Sequence, residues 1–212
     1  MNNLERRYIR PMGLELREAN EDEGTGPMLV GYSVVFDSDS EDMGFIEQMD
    51  AASITEEVLT ESDIRGLYNH IPSNLLGRSP AGEIDGETMR LKVDDRGLYF
   101  EIDLPDTTVG RDVAELVRRG DLTGNSFAFT VAEDEWDYES DPPRRRVTRV
   151  GELFDIGPVT YPAYPETVVS GRALELAKGP PAEKRDHELE IREREHRLRE
   201  LEDPNLLRTG TE

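Results

Sequence analysis

The chain has 212 residues, of which 47 are Asp or Glu and 25 are Lys or Arg, giving a net charge of -22 and a pI near 4.5. That balance opposes direct binding to nucleic acid, where basic side chains must neutralise phosphates; it suits basic partners or peptides, or simple solubility. The lack of cysteine excludes disulfides, thiolate metal sites and a cysteine nucleophile, and no apolar run approaches the ~20 residues that cross a bilayer.

In chain order, residues 4–18 alternate imperfectly and predict a strand, clearest at Leu14-Glu15-Leu16-Arg17. The first residues have no apolar stretch behind them and do not read as a signal peptide, so a cytosolic setting, or the inside of something assembled there, is expected. Residues 19–27 read as a loop and 28–36 as a strand. The acidic loop 37–44 mimics the start of a calcium loop at Asp37, Asp39 and Glu41, but it lacks the required glycine and closing glutamate. A short strand at 45–49 and a helix or helical turn at 51–60 follow. Residues 64–70 predict a strand ending in His70, then turn chemistry at Ile71-Pro72-Ser73-Asn74. Residues 89–93 and 97–104 alternate with period two around Asp94-Asp95-Arg96-Gly97, which predicts a hairpin.

An amphipathic helix is expected over 109–119, ended by Gly120. The polar turn 121–125 delivers Ser126 to an apolar strand at 127–131. Residues 136–141 suggest an edge strand, Pro142-Pro143-Arg144-Arg145-Arg146 a basic turn, and 146–160 a long strand closed by Tyr161-Pro162-Ala163-Tyr164-Pro165. Strands adjacent in sequence with one or two helices imply an α+β, mostly β fold, an antiparallel sheet or barrel-like core with a few flanking helices. The expected division is a folded domain at 1–170 and a charged helical or flexible tail at 171–212. In the tail, Glu190 with Arg194 and Glu195 with Arg199 stand at helix-pairing distance, but Leu189, Ile191, Leu198 and Leu201 are too sparse for a coiled-coil seam. A solvated helix and a partner-docking helix are the two readings.

Of three histidines, His187 and His196 lie in the tail, leaving His70 between structured stretches. Ser126 follows a glycine-containing turn that lets a substrate approach the backbone; it does not sit in a Gly-x-Ser-x-Gly elbow. A serine needs a neutral imidazole to accept its proton and a third group to steady the imidazolium. Asp155, inside the apolar run Leu153-Phe154-Asp155-Ile156, needs a partner to be buried. That partner is either His70 or an arginine such as Arg65 or Arg78, and Glu152 is a second candidate acid. No zinc spacing and no phosphate loop appears, and no carboxylate pair stands out, so no metal and no cofactor is expected.

Four stretches resemble, in order, the prohead serine proteases of tailed bacteriophages, which are related in fold to herpesvirus assemblin. They are Gly31-Tyr32-Ser33-Val34-Val35-Phe36 with Phe45-Ile46-Glu47, Leu67-Tyr68-Asn69-His70 with Leu76-Gly77-Arg78, the run 120–129 around Ser126, and the run 154–165 around Asp155. The chain departs from the family pattern at Ile71, where an aspartate is common, and at Asp155-Ile156-Gly157, where Glu-x-Ser is common. The resemblance implies an assemblin-like fold and a serine endopeptidase with nucleophile Ser126, base His70 and orienting acid Asp155. It also implies cleavage of scaffold, or of the scaffold-like arm of the major capsid protein, and of itself, inside the immature capsid in the host cytoplasm. Self-association is expected there, with no direct nucleic-acid or membrane partner. The competing readings are an inactive scaffold that binds capsid subunits, and an esterase.

Overall fold

In the computed structural model the described residues are 4–9, 14–20, 22, 24–82 and 86–161. They form ten strands and two helices, all within the compact unit Met1–Ala177. The tail at 171–212, with its expected helix, lies outside the described residues.

The strands are β1 (Leu4–Ile9), β2 (Glu15–Arg17), β3 (Met28–Val35), β4 (Ile46–Met49), β5 (Ile64–Leu67), β6 (Leu75–Ser79), β7 (Met89–Val93), β8 (Gly97–Asp103), β9 (Gly124–Asp137) and β10 (Arg144–Val159). Helix α1 spans Glu56–Glu61 and α2 spans Thr108–Arg119. Two sheets result. One has the order β1-β9-β10-β5-β6, with β4 also on β10; the other has the order β2-β3-β8-β7. The fold is mostly β, as expected, but among the described residues the sheets do not close into a barrel. Nor is the pairing wholly antiparallel, because β10 runs parallel to both β4 and β5. β10 is long enough to pair its first residues, Arg144 to Val147, with β4 and its later Asp155 and Ile156 with β5.

Local chemistry explains the elements. The β7–β8 turn is held by Asp94, whose carboxylate accepts from the N–H groups of Arg96 and Gly97. In α2 the Thr107 hydroxyl caps Gly110 N–H, and Gly120 closes the helix at φ 78, where a side chain is disfavoured. The core joins both sheets: Leu29, Val34, Phe100 and Ile102 from one meet Ile64, Phe127, Phe129 and Leu153 from the other. The rings of Phe127 and Phe129 stack with centroids 4.8 Å apart. Each such fully buried ring contributes roughly 1.5–3 kcal/mol, so the middle of β9 is fixed in depth and in register.

Three expectations are revised. The single strand at 4–18 is two strands in different sheets, β1 and β2. The edge strand at 136–141 is the end of β9 (Trp136 and Asp137) followed by a turn. The basic turn at 142–146 is the start of β10: Arg144 pairs with Asp39, Arg146 with Asp50, and Arg145 is buried.

Candidate active site

Ser126 lies in the buried first half of β9, opposite Gly157 of β10. Asp155 stands two residues before Gly157, opposite Ala128. Alternation puts Ser126, Gly157 and Asp155 on one face of the sheet, with Ser126 and Asp155 diagonal to each other. That diagonal gap is about 7–8 Å in an antiparallel pair, wide enough for an imidazole to bridge. Gly157 lets the end of β5 pack closely here: a Cβ there would stand 2.2 Å from the carbonyl oxygen of Leu67.

The imidazole comes from the end of β5. That strand stops at Leu67, and Tyr68–His70 form a single 3-10 turn rather than the expected continuation of the strand. Asn69 and His70 both take left-handed backbone conformations, φ 57 and 56, at a cost on the order of 1–3 kcal/mol each. The turn is held from the end of β10. Asn69 Oδ1 accepts from Thr160 N–H at 2.8 Å, and Asn69 Nδ2 donates to Thr160 Oγ1 at 3.1 Å. The Tyr68 hydroxyl meets the same Oγ1 at 2.8 Å. Asn74 carbonyl accepts from Tyr68 N–H at 3.1 Å and ties the turn to the start of β6.

His70 Nε2 then lies 2.8 Å from Ser126 Oγ, and His70 Nδ1 is hydrogen-bonded to Asp155 Oδ1. Both side chains of the His70–Asp155 pair are largely shielded from solvent, where such a contact is screened least. The arrangement can carry a proton between the serine oxygen and the imidazole while a carboxylate holds the ring. The structure thus brings together the three residues named from the sequence. It also separates Asp155 from its arginine alternatives. Arg78 and Arg65 both bind Asp63, and their guanidinium groups hold its carboxyl far below the usual carboxylate range. Glu152 is exposed, on β10 opposite Thr130.

Sequence reasoning missed the roles of Asn69 and Thr160 and the place of β1 beside Ser126. The Asn-His pair before a proline turn was a signal for the first, since asparagine tolerates left-handed backbone well. β1 runs antiparallel to β9 with Tyr8 opposite Ser126, and Ser126 Oγ donates to the Arg7 carbonyl at 2.7 Å. Beneath β1 lies a buried ionic cluster. Arg7 Nη2 and Arg145 Nη1 each bind Glu47 Oε2 at 2.9 Å, Arg145 Nη1 binds Glu5 Oε2 at 2.8 Å, and Arg145 Nε binds Asp134 Oδ2 at 2.8 Å. Burial pushes the Glu5 carboxyl up, but Arg145 and Arg7 outweigh it and leave it below its ordinary value. Burial likewise opposes the Arg145 charge, and Glu5 and Glu47 more than restore it.

Among solved structures, the capsid assembly protease gp21 of bacteriophage T4 is similar at 14% identity, over 75% of this chain and 98% of that one, with a TM-score of 0.45. No curated protein matches. The family model for the caudovirus prohead serine protease matches residues 14–180, a span that contains His70, Ser126 and Asp155. The chain belongs to the caudovirus prohead serine protease family.

Proposed function

We propose that the chain is a serine endopeptidase of phage head maturation, with Ser126 as nucleophile, His70 as general base and Asp155 as the residue that orients His70. One observation carries this reading: Ser126 Oγ, the His70 ring and the Asp155 carboxylate form an unbroken chain of contacts from three separate segments. All three segments lie within the residues matched by the family. Ser126 attacks the peptide carbonyl as His70 Nε2 takes its proton. The imidazolium, held by Asp155, returns that proton to the leaving amine, and water repeats the cycle on the acyl-enzyme.

The substrates in this reading are scaffold, or the scaffold-like arm of the major capsid protein, and the chain itself, cut inside the prohead. The folded domain covers residues 1–170, and the charged segment 171–212 serves docking or is removed by self-cleavage.

The test is co-expression with the major capsid protein of the same genome, comparing wild type with Ser126→Ala and His70→Ala by intact mass of every chain. Shortened capsid or protease chains should appear with wild type and be absent with both variants, since loss of either group lowers such rates by on the order of 10⁶-fold. Identical masses in all three, with shells still formed, would replace this reading with that of a scaffold.

A further inference from the structure

Four large apolar side chains are exposed among the described residues: Leu4, Ile71, Leu75 and Tyr161. Single exposed apolar residues are ordinary on a protein surface, so their placement matters more than their number. Leu4 stands on β1, opposite Thr130. The other three stand on the two segments that hold His70. Ile71 follows His70 directly at 44% exposure, and Leu75 opens β6, also at 44%. Tyr161, at 73%, follows Thr160, whose N–H and hydroxyl bind Asn69. Exposed apolar groups gathered at one place mark a contact site.

These side chains stand on a fixed backbone. Ile71 N–H donates to the Tyr68 carbonyl at 3.3 Å, and the Ile71 carbonyl accepts from Asn74 N–H at 2.8 Å, so residues 71–74 close a turn. Leu75 pairs with Leu67 between β6 and β5. The ground around them is uncharged: residues 66–77 and 156–161 contain no Asp, Glu, Lys or Arg, in a chain where 34% of residues are charged. A charged segment would find no counter-charge in either run, whereas an aliphatic or aromatic one would release water from both surfaces.

The position of the rim relative to Ser126 says which part of a peptide reaches it. One row crosses the sheet from Ser126 on β9 to Gly157 on β10, then to Leu67 of β5, whose carbonyl lies against Gly157, and to Leu75 of β6. Neighbouring strands are about 4.8 Å apart, so the rim extends from beside His70 to roughly 14 Å from Ser126, the length of about four extended residues. His70 enters from the same side, at the end of β5. In acyl transfer the histidine returns its proton to the leaving amine, so the half of the peptide that leaves passes His70.

We infer that Ile71, Leu75 and Tyr161 form the surface that selects the substrate, by taking an aliphatic or aromatic side chain from the first residues after the cut, within about four of it. The inference rests on the catalytic reading of Ser126 and His70, and names what that site selects.

Co-expression with the capsid chain locates the cut by intact mass. An apolar residue should stand within that distance after it, and replacing this residue in the capsid chain with Asp should slow appearance of the shortened product by roughly tenfold or more. Ile71→Lys with Leu75→Lys in the protease should slow cutting of the unaltered capsid chain to a similar degree, yet cut the Asp-bearing capsid chain faster than wild type does. A merely structural role, or a lysine that disturbs His70, would slow both substrates alike, and that result would overturn the proposal. Dependence on apolar residues only before the cut, or wild-type rates from the double variant on the unaltered chain, would overturn it too.

Both positions are exposed, so the double variant should melt as wild type does. If it fails to fold, Ile71→Ser with Leu75→Ser decides: the two capsid chains should then be cut at equal rates, and a preserved preference for the unaltered one sinks the idea. Failure of the catalytic reading shows separately, as capsid chains left whole by wild type or as processing that survives Ser126→Ala or His70→Ala.

Discussion

Asp155 sits in an apolar stretch of β10, and burial of its carboxylate is tolerated because His70 takes one oxygen. Asp155→Asn keeps the shape but offers the ring an N–H donor as well as an acceptor, which permits the wrong tautomer. Processing of the capsid chain, followed by mass over time, should slow by on the order of 10⁴-fold, with the fold retained in a thermal melt. Asn69 acts through the backbone of its neighbour. Asn69→Gly keeps the left-handed turn but loses both bonds to Thr160, and should cost about 1–2 kcal/mol in urea denaturation. Asn69→Ala loses the same bonds and adds strain at φ 57, for roughly 1–2 kcal/mol more. At this scale the three side chains that the fold brings into contact were legible in the sequence, because serine, histidine and a carboxylate in an apolar run each demand an explanation. Asn69 and Thr160 were not, since an amide in a turn has many equally good uses.

The elements with local causes were read nearly whole. Helix α2 declares itself through its apolar stripe and Gly120, and the β7–β8 hairpin through Asp94 and Gly97. Gly120 has open space around a would-be Cβ, so Gly120→Ala carries only the backbone cost of φ 78. That predicts a loss of about 1–2 kcal/mol, measured as a shifted urea midpoint with unchanged processing. The start of β10 was missed because three arginines after two prolines have the composition of an exposed turn. They are strand residues because their counter-charges come from far along the chain. Asp39, Asp50 and Glu47 lie about a hundred residues earlier, and Glu5 earlier still. β1 and β2 were fused for a related reason: alternation shows that residues are extended but not which sheet they join.

For the molecule as a whole, those carboxylates among the described residues that depart from their ordinary values all move downward. Glu5, Asp50 and Asp103 among them lie below their ordinary values, each held by an arginine or a backbone N–H. A group depressed in the folded state contributes stability that is complete above its unfolded pKa and is lost as pH falls through the folded one. Urea midpoints should therefore hold above about pH 4.5, the ordinary glutamate value, and decline progressively below it. The buried cluster is screened least, so the decline should be shallower in Glu5→Gln/Arg7→Met than in wild type. An equal slope in the two proteins would locate the acid sensitivity in the surface pairs instead.

The sequence by itself determined that the fold is mostly β, where α2 and the β7–β8 hairpin fall, and which serine, histidine and aspartate to watch. Each of those depends on the pattern of residues within a short stretch. Only the tertiary structure decided that the strands form two open sheets with a mixed β10, that Asp155 meets His70 while Arg65 and Arg78 turn to Asp63, and that β1 lies beside Ser126. Those outcomes depend on which distant segments share a register, and a one-residue slip in register would exchange the faces of a strand without changing its local pattern.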